Sequence, residues 1–181
     1  MLDTITNNPL FRTFPRTVED HRAELAAARA ALLEELQHEH AAPPEGRWSA
    51  VEIAYHLHIV EKGIVRGLQK FFAEQRHEPV PIEAIEAKWH SNNAALLDRS
   101  LKAPAPERAI PLNPPPLQDV LALLEQSRAA LLQFLEGKSY TDLASVSFLH
   151  ALFGVISGPL WLSMIAEHEV RHVEQMRELR K

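Results

Sequence analysis

The sequence contains no cysteine. That excludes disulfides, thiolate metal ligands and a cysteine nucleophile, so any metal has to be held by His, Asp, Glu or water. Basic residues form no stripe and the formal net charge is −5, which argues against a nucleic-acid partner. The first ten residues lack a basic segment followed by an apolar one, so no signal peptide is expected. The longest nearly apolar run, 148–166, is broken by His150, two glycines and Pro159, and is too interrupted to span a membrane. A cytoplasmic location follows as the expectation. Strand-like alternation, internal repeats and domain boundaries are likewise missing.

What is present is a chain of 181 residues, 46% apolar and 24% charged. One domain covering 1–181 is expected, with 1–15 as a lead-in, and a chain of this size buries about 70% of its unfolded surface. Residues 17–40 carry Leu25, Ala28, Leu32 and Leu36 at helical spacing. A Pro-Pro-Glu-Gly stretch then stops that helix. Ser49 and Glu52 form a capping box that opens a second long helix over about 50–76, with an inner seam of Ile53, His56, Val60, Ile64, Leu68 and Phe71. A long connection over 77–116 includes a helix carrying Trp89 and ends in a proline run. A third long helix is expected over 117–136, closed by Gly137. Ser157-Gly158-Pro159 starts the fourth. The expected fold class is all-α, a four-helix bundle with a long crossover between helices two and three.

The fourth helix carries His168 and His172, four residues apart and therefore on one face. They share a seam with Trp161, Ile165, Gln175, Met176 and Leu179, so they point where apolar residues normally point. Buried polar groups need partners. His56 lies about 10 Å into helix two, and His172 about 13 Å from the chain end, at 1.5 Å per residue. If these helices are antiparallel neighbours, the three imidazoles meet at one level. A di-iron centre needs converging Glu-x-x-His pairs. The pairs at Glu35/His38, Glu74/His77 and Glu169/His172 lie at depths that do not converge.

Trp48-Ser49 with Glu52 and His56, then His150-Ala-Leu-Phe-Gly154, then His168-x-x-x-His172-x-x-Gln175, resembles the DinB/YfiT-like superfamily over about residues 17–180. The resemblance implies an up-down-down-up bundle, often a homodimer. It also implies a divalent metal on His56, His168 and His172. Characterised relatives include metal-dependent transferases of low-molecular-weight thiols and a maleylpyruvate isomerase, and many members have no known activity. Ala151 stands where the pattern usually has proline.

Three His ligands leave a coordination position open, as in reactive rather than structural sites. The expected function is that of a metal-dependent enzyme acting on a small molecule, foremost a thiol S-transferase whose thiol comes from a cofactor. A hydrolase, or a non-catalytic metal-binding stress or interaction bundle, is the alternative. Imidazoles suit zinc, nickel or iron. Gln175 and Glu61 are the weak catalytic candidates. Gln175 sits one turn beyond His172; Glu61 matches a frequent acidic position of the resemblance, with a solvated charge as the competing reading. Glu167 with Arg171 suits a surface ion pair, and Glu169 and Glu174 are expected in solvent. His21, His38, His40, His58, His77 and His90 are expected at the surface. His150 is set aside as a ligand because it lies about 25 Å or more from His168 by helical rise. Gly63-x-x-x-Gly67 suits close helix approach. The open position is expected to face a cavity near Ser49, walled in part by the proline-rich segment 101–116.

Overall fold

Side-chain caps set the starts of the first two long helices. Thr17 accepts from the Asp20 backbone N–H while the Asp20 carboxylate accepts from the Thr17 N–H, starting α1, Val18–Glu35. The expected Ser49/Glu52 box starts α2, Ala50–Glu74: the Glu52 N–H donates to Ser49 Oγ at 3.3 Å and the Ser49 N–H to Glu52 Oε2 at 2.8 Å. Next come α3, Ile82–Leu97, and α4, Leu117–Leu135, after which Gly137 takes a positive φ of 68°. Then follow α5, Tyr140–Ala144; strands β1, Ser147–His150, and β2, Gly154–Ser157; and α6, Gly158–Arg177. The computed structural model describes residues 8–74, 76–101 and 104–180. Residues 1–7 of the expected lead-in, Gln75 of the second helix and residues 102–103 of the proline-rich segment lie outside the described residues. Among the described residues, no helix is long and apolar enough to cross a membrane.

The chain is mostly helical, but the all-α expectation needs correcting. β1 and β2 form an antiparallel hairpin in which Phe148 pairs with Ile156 and Leu149 with Val155. Ile156 is buried, whereas Leu149 and Val155 are 71% and 58% exposed. The outward face is thus apolar too, and that erased the alternation by which short strands are recognised. Phe148 stacks on Trp161 at 4.3 Å and on Phe71 at 5.0 Å. A Cβ on Gly67 would stand 2.8 Å from the Phe148 ring, while one on Gly63 would meet nothing. Gly67 therefore admits the hairpin rather than a neighbouring helix. α1 ends earlier than the expected 17–40, and His40 instead pairs with Arg180 as an isolated β-bridge.

α6 is the central element. It packs against α1, α2, α3 and α5, and 15 of its 20 residues are buried. A helix enclosed on several sides has no solvent face for its charges. The smaller of two apolar clusters takes Leu32 and Leu36 from the end of α1, and Ile53 and Leu57 from the start of α2. It adds Val120 and Leu124 from the start of α4, with Val173 and Met176 from the end of α6. The larger cluster fills the rest of the interior.

Candidate metal centre

His56 is carried by the first turns of α2, and His168 and His172 by the last turns of α6. The His168 Nε2 lies 3.4 Å from the His56 Nε2 and 3.1 Å from the His172 Nε2. The three ligand atoms all fall within 4.8 Å of one another, the one such His/Asp/Glu cluster among the described residues. His56 and His172 are buried, and His168 is half-buried.

The outer ring nitrogens fix the tautomers. His56 Nδ1–H donates to the Ala109 carbonyl at 2.7 Å, and His172 Nδ1–H donates to Gln175 Oε1 at 2.9 Å. Both Nε2 atoms therefore present lone pairs inward. Only His168 can carry an Nε2 proton, and it can satisfy one neighbour at most. The remaining contact sets lone pair against lone pair unless a cation lies between. Metal–nitrogen bonds of about 2.0–2.1 Å at tetrahedral angles place ligand atoms about 3.3–3.4 Å apart, close to the two separations from the His168 Nε2. The donor set thus fits a zinc-like ion, held by residues whose second nitrogens are already oriented.

Electrostatics agree. Burial lowers the pKa of His56, only partly offset by the Ala109 carbonyl. Burial pushes His168 and His172 well below the usual histidine value; His172 and His56 add to this for His168, His56 adds to it for His172, and Arg171 for both. All three rings stay neutral at neutral pH, as metal ligation requires. Trp48 packs against His56 at 4.8 Å between ring centroids.

The other expectations fare unevenly. Gln175 is placed to orient His172. Glu61 is neither at the trio nor solvated. It is 2% exposed, and accepts from Arg29 Nη2 at 2.8 Å, Arg128 Nε at 2.6 Å and Ser127 Oγ at 2.6 Å. Burial alone would raise its carboxyl, but Arg128 and Arg29 outweigh that and hold it below the ordinary range. Glu169, expected in solvent, completes this network by accepting from Arg29 Nη2 at 2.6 Å and Arg128 Nη2 at 3.0 Å. Glu174 is half-buried and pairs with Arg177 at 2.8 Å. Glu167 and Arg171 do not make the expected surface pair: Glu167 is buried and accepts from Asn93 at 2.8 Å. Arg171 clasps the end of α3 and the chain after it, donating to the carbonyls of Leu96 at 2.8 Å, Asp98 at 2.7 Å and Leu101. His38, His77 and His90 are exposed and His40 half-buried, but His21 and His58 are buried. His21 lies under Tyr140 of α5, and α4 covers His58.

His150 is closer than helical rise suggested. The hairpin folds back along α6, setting the His150 ring 5.2 Å from that of Trp161 and near enough to depress the pKa of His168. A hollow of about 300 Å³ does lie beside Ser49, bordered by Leu36, Ala50 and Leu117, but none of the three histidines lines it. The proline-rich segment instead reaches the centre through a 3₁₀ turn, Glu107–Ala109. That contact comes from a backbone carbonyl in an irregular segment, for which side-chain patterns carry no signal.

The family model of the DinB superfamily matches residues 31–176. Among solved structures, TT2238, described as a four-helix bundle protein, is similar with a TM-score of 0.57 at 24% identity. The match covers 88% of this chain and 96% of that one. At that identity the likeness bears on the fold alone. No curated protein matches the sequence.

Proposed function

From the premise that this chain belongs to the DinB superfamily, we propose that it is a divalent-metal-dependent enzyme whose ion is held by His56, His168 and His172. The observation that carries this reading is the convergence of three Nε2 atoms while two of the Nδ1 protons are held by outward acceptors. An ion bound there supplies Lewis acidity that lowers the pKa of a coordinated thiol or water. The chain's own part is to keep the three rings neutral and oriented, through burial, Ala109 and Gln175. With no cysteine in the chain, a thiolate nucleophile has to arrive with a small molecule. Low-molecular-weight-thiol S-transfer is accordingly the proposed reaction. The proposed topology is up-down-down-up with a crossover over residues 77–116. It is supported by the small apolar cluster, which joins the ends of α1 and α6 to the starts of α2 and α4.

Elemental analysis of the purified protein, followed by turnover of small electrophiles with added thiols, tests the proposal. About one metal per chain is expected, with activity that chelation abolishes and metal restores. Stripped protein that works as fast as loaded protein would sink it.

A further inference from the structure

A second buried polar cluster lies where α1 packs on α6 beneath α5, apart from the three histidines. Glu35, Glu61 and Glu169, all buried, are each met by arginine. Glu24 is 2% exposed and meets no arginine or lysine among the described residues. His21 Nδ1 lies 3.6 Å from its Oε2, and Ser163 Oγ–H donates to the same oxygen at 3.4 Å. Both separations exceed about 3.2 Å, the long end of the usual hydrogen-bond range. His21 is 0% exposed, and neither of its ring nitrogens has a partner among the described residues. Glu24 Oε1 and the Tyr140 hydroxyl are likewise buried and unpartnered there. The Tyr140 ring stacks on that of His21 at 6.1 Å, so these groups share one place.

These side chains do not satisfy one another. A buried carboxyl with no cation beside it keeps its proton, and a buried imidazole without a carboxylate partner stays neutral. Burial, with Asp20 adding to it and Ser163 opposing, accordingly raises Glu24 to about 8, and burial lowers His21 to about 3 against the opposing pull of Asp20. The neutral imidazole then has one N–H and one lone pair, and the carboxyl one O–H. A Glu24 O–H turned onto His21 Nδ1 leaves the ring proton on Nε2, still without an acceptor. A ring proton on Nδ1 turned onto Glu24 leaves the Nε2 lone pair without a donor. Buried polar groups are nearly always paired with protein or with ordered water, because an unpaired one is costly.

We propose that His21 and Glu24, under the Tyr140 ring, form an internal hydration site between α1, α5 and α6, in which ordered water hydrogen-bonds to the His21 ring. Water is the ligand class that the walls select. It donates and accepts, so it serves either tautomer of His21, and it is small enough for a site whose two binding residues are sealed from solvent. The walls are neutral and offer an ion no opposite charge. The site is independent of the metal reading, since none of its residues touches the three histidines.

Water–protein NMR on the full chain tests this. The carbon-bound ring protons of His21 should show cross-relaxation with long-lived water, in chelated and metal-loaded protein alike. The signal should persist in Glu24→Gln, which keeps a polar wall, and in Tyr140→Phe, which removes the nearby hydroxyl proton. It should be lost when His21→Phe is joined to Glu24→Met. A high-resolution crystal structure should show water within about 2.7–3.2 Å of a His21 ring nitrogen. Absence of the cross-relaxation in the wild-type protein overturns the inference. Its loss in Tyr140→Phe does so too, by tracing the signal to hydroxyl exchange. Density that places protein atoms on both His21 nitrogens overturns it as well. The wild-type and single-variant measurements decide the matter even where the double variant fails to fold.

Discussion

Single residues around the trio hold distinct tasks that measurement can separate. His172 supplies a ligand atom and Gln175 only orients it. His172→Ala should abolish the rise in melting temperature on adding metal. Gln175→Leu should keep that rise but weaken metal affinity about 10–100-fold, read by competition with a chelator. Equal affinity in Gln175→Leu and wild type would remove Gln175 from the site. Away from the metal, burial, with Asp20 adding to it and Ser163 opposing, pushes Glu24 up to about 8. The folded chain therefore keeps a proton on Glu24 where the unfolded chain has released it. The stability linked to that proton is full below about pH 4.5, and is lost as pH rises towards about 8. Glu24→Gln should flatten this decline in pH-dependent denaturation. An unchanged slope would show that Glu24 is ionised in the fold.

At the scale of elements, the four long helices are joined by Arg29, Glu61, Arg128 and Glu169, one residue from each. Removing one partner of a buried ion pair costs about 3–5 kcal/mol, because the others are left uncompensated. Glu61→Ala should show such a loss in chemical denaturation while metal affinity holds. A drop in metal affinity with full stability would return Glu61 to the candidate site. A methyl on Gly158 would lie 2.5 Å from the Leu143 carbonyl, where backbone has to yield. Gly158→Ala should accordingly destabilise the junction of α5 and α6. This scale also shows what could be read from sequence alone. Periodicity located the four long helices, and depth along α2 and α6 brought His56 to the level of His168 and His172. It failed where a helix has several neighbours. His58, Glu167 and Glu169 were assigned to solvent on the premise of one buried face, yet α4 covers His58, and α6 is enclosed by α1, α2, α3 and α5. The hairpin was missed because Leu149 and Val155 face outward.

For the molecule as a whole, the metal should add stability without being needed for folding. The apolar interior is large enough to hold the fold without it. Stripped protein should keep its helical circular dichroism and melt at a lower temperature. A metal at 100 times its Kd contributes about 2.7 kcal/mol to the native state. Collapse of the helical signal on chelation would make the metal structural instead. The segment after α6 is tied to the end of α1 instead: the Ala41 N–H donates to the Leu179 carbonyl at 2.7 Å, and Arg180 pairs with Glu35. The contact of His56 with Ala109 has a genetic side as well. Its acceptor is a backbone oxygen, which every amino acid carries. Point mutation at codon 109 therefore leaves the hydrogen-bonding group in place, whereas a single-codon deletion between 104 and 108 withdraws it from His56. The centre should tolerate spelling changes in that segment and be intolerant of changes in its length, a pattern that a deletion scan set beside a substitution scan would expose.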